Sequence, residues 1–474
     1  MKNILLISVV FFSLGFLNCT SKYNLTNARV NEIPLAFPGA EGFGKFTTGG
    51  RGGKVLIVSN LNDDGPGSFR KAATAKYKRI IVFAVSGTIH LEKKVNIAGD
   101  CTIAGQSAPG DGICIADRNV SLGGNNIIVR YLRFRMGDKY ANEGMVDGAG
   151  SDDAFGGTRR NNIIIDHCSM CWSEDEVFSV YAGDSTTLQW NMIYEPLNYS
   201  YHFEKGDKDF EHHGYGAIWG GTNFSAYYNL FAHCNSRNPR FDGIRNTAVE
   251  NVDFRNNVIY NWGNNSIYAG EGGMYNIVNN YFKYGPSTKP SVKMRIVNPF
   301  KEEKPQIPYG KFFVDGNYVD GFDDVTKNNS LGVFMGNKGN TDDKNEALAL
   351  NAFSAISIPL LTAKEAYTKV LQNAGASYKR DTLDERIIQD VKNRTGHFVD
   401  VQGGFPHGTE YAATINAWPA LKSAAALTDT DKDGMPDEWE IKNGLNPNDA
   451  SDASNFKLSL VYTNVEVYLN ILLQ

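Results

Sequence analysis

The sequence predicts an all-β fold, a single-stranded parallel β-helix with a small helical C-terminal region. Three observations carry this expectation. The 474 residues include 48 glycines and 12% aromatics, a balance of strands and turns rather than helices. The middle of the chain repeats: Gln189-Trp190-Asn191-Met192-Ile193, Tyr227-Tyr228-Asn229-Leu230-Phe231, Asn256-Asn257-Val258-Ile259, Asn279-Asn280-Tyr281-Phe282 and Gly316-Asn317-Tyr318-Val319 each set an Asn before an apolar pair. The anchor Asn residues lie 38, 28, 23 and 37 apart, a minimum of 23 with insertions at one point of the cycle, which is the mark of a solenoid.

At the N-terminus, Lys2 supplies a short basic region and residues 4–17 an apolar run too short for a membrane span. Residues 1–19 are therefore expected to form a signal peptide. It ends at Phe16-Leu17-Asn18-Cys19, which resembles a bacterial lipobox and implies a lipid on Cys19 after cleavage, although Asn18 stands where a small residue is usual. Residues 20–35 follow as a tether. The chain is expected to be exported, as an outer-membrane lipoprotein or a secreted protein.

Residues 36–345 are assigned to the β-helix, because Ile127-Ile128-Val129-Arg130-Tyr131-Leu132 and Ile163-Ile164-Ile165-Asp166-His167-Cys168 extend the repeat toward the N-terminus. Helical repeats would show apolar stripes of period 3.6. The gaps are too short and uneven for four-stranded propeller blades. Each strand stacks on its counterpart in the next coil, and the aligned Asn side chains can form a hydrogen-bonded ladder, a structural role rather than a ligand-binding one. Long insertions such as residues 195–213 are where binding loops belong. Beyond Cys19 the five cysteines are Cys101, Cys114, Cys168, Cys171 and Cys234, an odd number that argues against a complete disulfide framework. Cys168 and Cys171 fall on opposite sides of a strand and read as small buried apolar residues.

From residue 346 the pattern turns helical. Thr362-Ala363-Lys364-Glu365 is a capping box, Tyr367, Val370, Leu371 and Ala374 share a helical face, and Gly375 stops the run. Residues 383–391 form a second short helical pattern. The segment 346–427 is expected to cover a flank or an end of the solenoid and shield its strand edges.

Residues 428–474 hold an acidic loop, Asp429-Thr430-Asp431-Lys432-Asp433-Gly434-Met435-Pro436-Asp437-Glu438-Trp439-Glu440, which fits the EF-hand pattern at every ligand position. Asp429, Asp431, Asp433, Asp437 and Glu440 supply carboxylates, Met435 a backbone carbonyl, and Gly434 the sharp turn. Residues 424–427 are too few for an entering helix, so a structural calcium clip is expected rather than a sensor. Asn446-Pro447-Asn448-Asp449 is a second acidic turn close by.

The net charge of −5 and pI near 6.0 disfavour a nucleic-acid partner and any long-range attraction of a polyanion. A polyanion would have to be gripped locally, by arginines or through metal ions. Arg237-Asn238-Pro239-Arg240 offers that grip: two guanidinium groups around a stiff proline, on a β-scaffold, suit the carboxylates of a uronic-acid polymer. Asp166-His167 invites a charge-relay reading, but no serine nucleophile motif accompanies it, and one of the two should pack inward.

These residues resemble polysaccharide lyase family 1, the pectate lyases. The resemblance rests on Ala36-Phe37-Pro38-Gly39-Ala40-Glu41-Gly42-Phe43-Gly44, Ile165-Asp166-His167-Cys168-Ser169, His213-Gly214-Tyr215-Gly216 and Asn235-Ser236-Arg237-Asn238-Pro239-Arg240. It implies a right-handed parallel β-helix that cleaves polygalacturonate by β-elimination with calcium. It further implies that Arg237 heads an Arg-x-Pro motif and removes the C5 proton, that Arg240 binds a substrate carboxylate, and that His213 takes the place of a substrate-binding lysine. Asp242 stands where the motif usually carries a further arginine. Asp153 and Asp175 match two of the family's calcium carboxylates; Ser151 and Ser179 occupy the places of two others, with Glu176 or Asp152 as substitutes. An ordinary guanidinium keeps its proton in water, so the proposed base needs Arg240 and bound Ca²⁺ beside it to repel that proton.

Three rivals remain at this stage. A lyase for methyl-esterified pectin would need no calcium in the cleft. A hydrolytic polygalacturonase would need convergent carboxylates in acid and base roles. A non-catalytic pectin-binding β-helix would need only the scaffold. The expected partners are polygalacturonate or pectin, no nucleic acid, and a membrane only through the lipid on Cys19, with the chain acting as a monomer.

Overall fold

The computed structural model describes residues 33–336 and 341–474. The expected signal peptide, Cys19 and the tether as far as residue 32 lie outside the described residues. Among the described residues no helix is long and apolar enough to cross a membrane.

The chain winds into a right-handed parallel β-helix, the hand that parallel crossovers take. Its coils lay short strands on three faces, and the strands of each face pair in parallel. The first face runs from Lys54–Val58 to Lys311–Asp315, the second from Gly87–His90 to Tyr318–Val319, and the third from Val95–Ile97 to Val297–Pro299. The strand Phe178–Gln189 serves two faces, pairing by its first half with Ile218–Gly221 and by its second half with Phe224–Tyr227.

Alternation decides what each rung buries. On the first face Ile103, Val129, Ile165, Leu188, Ala226 and Phe254 occupy one row of the register and point inward, fully buried. Each Ile, Leu or Phe so removed from water contributes about 1.5–3 kcal/mol. Phe134, Phe155 and Phe178 stack beside them, with ring centres 4.1 and 5.5 Å apart.

The corner between the first and second faces explains the Asn repeat. The residue before each anchor is left-handed, with φ of 57° at Trp190, 59° at Tyr228, 57° at Asn256, 54° at Asn279 and 67° at Gly316. That conformation turns the chain, and the next side chain enters the interior. Asn191, Asn229, Asn257 and Asn280 each donate from Nδ2 to Oδ1 of the following anchor at 3.0, 3.0, 3.1 and 2.9 Å. Asn329, in the turn Asn329–Gly332, receives the last of these bonds from Asn317 at 3.0 Å and ends the stack.

The same corner modifies the expectation for Asp166-His167. His167 is left-handed at φ 52°, so it does not continue the alternation of the strand, and its Nδ1 reaches Asp166 Oδ1 at 2.7 Å. Asp166 is fully buried and also accepts from Arg130 Nε and Gln189 Nε2, each at 2.8 Å. The pair is a structural network.

The helices cover a flank. Thr362 and Glu365 form the capping box of Ala363–Asn373, and Asp381 caps Thr382–Asn393 by accepting from the N–H groups of Leu383 and Asp384. Their buried Val370, Leu371, Ile387 and Val391 lie on Cys171, Met192, Tyr194 and Leu230 of the second face. On the first face, Ala36, Phe37 and Ala40 pack outside Ile128 and Ile164. The helix Thr341–Ala347 spans the boundary expected at residue 345, and Ala347 belongs to the interior cluster. All five described cysteines are buried and unpaired, Cys168 in the interior and Cys171 beneath the helices. Burial pushes the thiols of Cys101, Cys114 and Cys168 up to about 12, so they are unreactive.

Candidate active site

On the outside of the third face lies an open cleft of about 570 Å³. Its floor follows one outward row of the register, Asn96, Ser121, Gly156 and Ser179, which continues in the later coils as Ile218, Arg240 and Tyr268. Successive coils place their chemistry at the same corner, just before each third-face strand. Asp153 precedes Phe155–Thr158, Asp175 and Glu176 precede Phe178–Gln189, His213 and Tyr215 precede Ile218–Gly221, and Arg237 precedes Arg240–Phe241. Parallel bridges from Glu176 to Tyr215 and from Tyr215 to Ser236 hold that corner in register.

Asp153, Asp175 and Glu176 bring carboxylate oxygens within 4.8 Å of one another. Burial and the charge of Asp175 push the Asp153 carboxyl well above the usual range. Asp175 moves down: burial opposes this, but the hydrogen bond and positive charge of His213 outweigh it. The two carboxyls are thus pushed in opposite directions, Asp153 up and Asp175 down. Arg237 forms an ion pair with Glu176, and its guanidinium lies 4.1 Å from the centre of the Tyr215 ring.

His213 is wedged between two acids, with Nε2 2.7 Å from Asp175 Oδ1 and Nδ1 2.9 Å from Glu211 Oε2. Burial alone would push its pKa down, but these two carboxylates raise it above the ordinary histidine value. The ring also packs against Tyr215 and His202, tilted by 42° and 33°, with centres 3.6 and 3.9 Å away.

Arg237, His213, Asp153 and Asp175 thus line one cleft, together with Ser151, Ser179 and Glu176. Arg240 differs. It points outward on the same row, but its Nη2 lies 3.1 Å from Glu271 Oε1 and its Nη1 donates to the Phe241 carbonyl at 2.7 Å. Each guanidinium faces its own carboxylate, so the expected repulsion between Arg237 and Arg240 is not the arrangement found. Both nitrogens of His213 are engaged by acids, unlike those of a free substrate-binding cation. Asp152 pairs with Lys94 at 2.5 Å. Sequence reasoning missed Tyr215, Glu211, His202 and Arg160 as lining or supporting groups; the insertion at 195–213 was the one signal pointing toward Glu211 and His202.

The cleft set fits calcium on its chemistry. Three carboxylates offer hard oxygen donors, and none of the clustered groups is a thiol. Glu204 and Asp152 add further acid along the same cleft, so a polyanion entering it meets repulsion that a divalent cation would cancel.

Elsewhere, Asp429, Asp431 and Asp433 gather in the C-terminal loop, where Met435 buries its side chain against the first face and donates its N–H to Asp433 Oδ1 at 2.9 Å. Glu440 is buried nearby, and Asp437 faces Thr430.

A parallel β-helix with an acidic, arginine-bearing cleft on one open face has the architecture of a polysaccharide lyase. No family model matches the chain. It is 34% identical over 470 residues to "Probable pectate lyase C" of Aspergillus flavus, covering 97% of this chain and 97% of that protein. It is 35% identical over 451 residues to "Probable pectate lyase C" of Neosartorya fischeri, covering 92% and 94%. Among solved structures, jun a 1, the major allergen from cedar pollen, matches 70% of this chain and 92% of its own at 16% identity, with a TM-score of 0.48. The chain belongs to the pectate lyase family and is an enzyme.

Proposed function

We propose that the chain cleaves polygalacturonate by β-elimination, with Arg237 as the base and calcium held by Asp153, Asp175 and Glu176. The observation that carries this reading is the meeting of Arg237 with the three-carboxylate cluster in one open cleft. Asp153, Asp175 and Glu176 would hold the calcium, which when bound would supply positive charge to neutralise the substrate carboxylate and so make the C5 proton more acidic.

The residues of the chain do the rest. Once the Arg237 guanidinium has given a proton to solvent, which high pH favours, its neutral nitrogen takes the C5 proton, the C4–C5 double bond forms, and the C4–O bond to the departing sugar breaks, with water returning a proton to that oxygen. Tyr215 lies under the guanidinium and fixes its plane. His213 holds Asp175 in place through its Nε2, 2.7 Å from Oδ1. Arg240 follows Arg237 in the same coil, on the outward row of the third face, where a substrate carboxylate could compete with Glu271 for its guanidinium.

Ultraviolet absorbance of the unsaturated product tests the proposal, on polygalacturonate and on methylated pectin, each with calcium and with chelator. The expected result is calcium-dependent absorbance on polygalacturonate. Equal activity in chelator would remove the ion, activity confined to methylated pectin would favour a pectin lyase, and reducing ends without absorbance would mark a hydrolase.

A further inference from the structure

The C-terminal unit lies on the outside of the first face, where Met435, Leu445, Val465 and Leu469 pack against Ile80 and Val82. Its acidic loop does not close in the way an EF-hand would. Asp429 serves the loop itself, its two oxygens accepting the N–H groups of Asp433 and Gly434 at 3.1 and 3.0 Å. Asp437 turns to Thr430, accepting from its N–H at 2.7 Å and its hydroxyl at 2.6 Å. In its place Asp452 enters, from the turn Asp452–Ser454.

Asp433, Glu440 and Asp452 bring oxygens within 4.8 Å of one another, and Asp431 joins Asp433 from the loop side. Glu440 is 0% exposed, and neither of its carboxylate oxygens has a hydrogen-bond partner. Both oxygens of Asp431, Oδ2 of Asp433 and Oδ1 of Asp452 are buried and unpartnered as well. Among the described ion pairs, none includes these four residues. Gathering that much negative charge away from water without a counter-charge is strongly unfavourable. Hard oxygens converging in this way suit Ca²⁺, which takes about six to eight of them.

We propose that Asp431, Asp433, Glu440 and Asp452 bind a structural calcium ion, separate from the cleft, that fastens the end of the chain onto the first coils. The fastening passes through Asp452. Its carbonyl accepts from Asn464 Nδ2 at 2.9 Å, and Asn464 begins the final helix Asn464–Ile471, whose Glu466 pairs with Arg51 at 2.9 Å. An ion on Asp452 therefore ties the acidic loop to the last helix and, through Arg51, to the start of the solenoid. The proposal stands whether or not the cleft binds metal.

The test uses the full chain, stripped with chelator and then titrated with calcium, with binding read by equilibrium dialysis and stability by thermal unfolding. An Asp153→Asn background separates this site from the cleft. The background protein should bind calcium and gain several degrees in thermal midpoint. Glu440→Gln and Asp452→Asn in that background should bind at least about 10-fold more weakly and lose the gain, while Asp437→Asn binds within about twofold of the background, as expected of a non-ligand. Circular dichroism in chelator checks that each variant folds. No binding in the background protein, or binding and thermal gain that survive Glu440→Gln and Asp452→Asn, would overturn the proposal. A loss in Asp437→Asn equal to that in Asp452→Asn would return the ligand set to the EF-hand pattern.

Discussion

Arg237 lies with its guanidinium 4.1 Å from the centre of the Tyr215 ring while meeting the carboxylate of Glu176. Tyr215 pairs in register with Ser236, the residue before Arg237, so the β-helix itself aligns the ring with the guanidinium. Replacing the group that moves the proton should therefore be far more damaging than replacing its support. Arg237→Lys keeps a positive charge but loses the planar fork, and kcat on polygalacturonate should fall by about 10²–10⁴-fold with the fold intact. Full activity in that variant would remove Arg237 from the chemistry.

Tyr215 supplies a ring face rather than a proton. Tyr215→Phe should leave turnover near that of the parent, whereas Tyr215→Leu removes a cation–π contact of about 0.5–2 kcal/mol and should lower kcat/KM by roughly 2- to 30-fold. Equal losses in the two variants would point instead to the hydroxyl.

The Asn ladder is a continuous chain of bonds, so its interior members are coupled. Asn229→Ala orphans the N–H of Asn191, which now donates to Asn229 Oδ1 at 2.9 Å, and removes the bond to Asn257. Each buried group left unpaired costs about 1–3 kcal/mol. Denaturant unfolding should show that loss, and the double variant Asn229→Ala with Asn257→Ala should lose less than the sum of the singles.

Asp381 predicts an acid limit for the helical cover. Burial pushes its carboxyl up, but Arg135 and Arg133 override this and hold it well below the usual range. The unfolded chain therefore binds that proton more tightly than the folded one. Asp381 contributes stability above the ordinary value of about 3.9 and loses it as pH falls through that value toward the folded one. Asp381→Asn should cost about 3–5 kcal/mol at neutral pH, because Arg135 loses a buried carboxylate at 2.8 Å and keeps Asp384 and the Tyr194 hydroxyl. It should also flatten the acid side of the stability profile. A profile equally steep in the variant would move the acid sensitivity to other carboxylates.

Much of the scaffold was legible because it is written locally and repeatedly. Asn229 and Asn257 precede apolar pairs in the chain and stack in space, since a parallel coil brings equivalent positions together one turn apart. Thr362 and Glu365 name a helix start within four consecutive residues. What was not legible depends on partners brought from other coils. Arg240 finds Glu271 in the next coil, His213 finds Asp175 from the preceding one, and Asp452 gathers with Asp433 and Glu440 while Asp437 turns to Thr430.

The chain's own periodicity determined a parallel β-helix, because an Asn before an apolar pair recurs at intervals that only stacked coils satisfy. The resemblance carried by its motifs marked Arg237, Asp153 and Asp175, which end in one cleft because each precedes a strand of the third face. Only the tertiary structure decided which charges meet. Ion pairing depends on distances of a few ångströms between side chains of different coils, and insertions such as residues 195–213 alter which groups are presented there without altering the repeat.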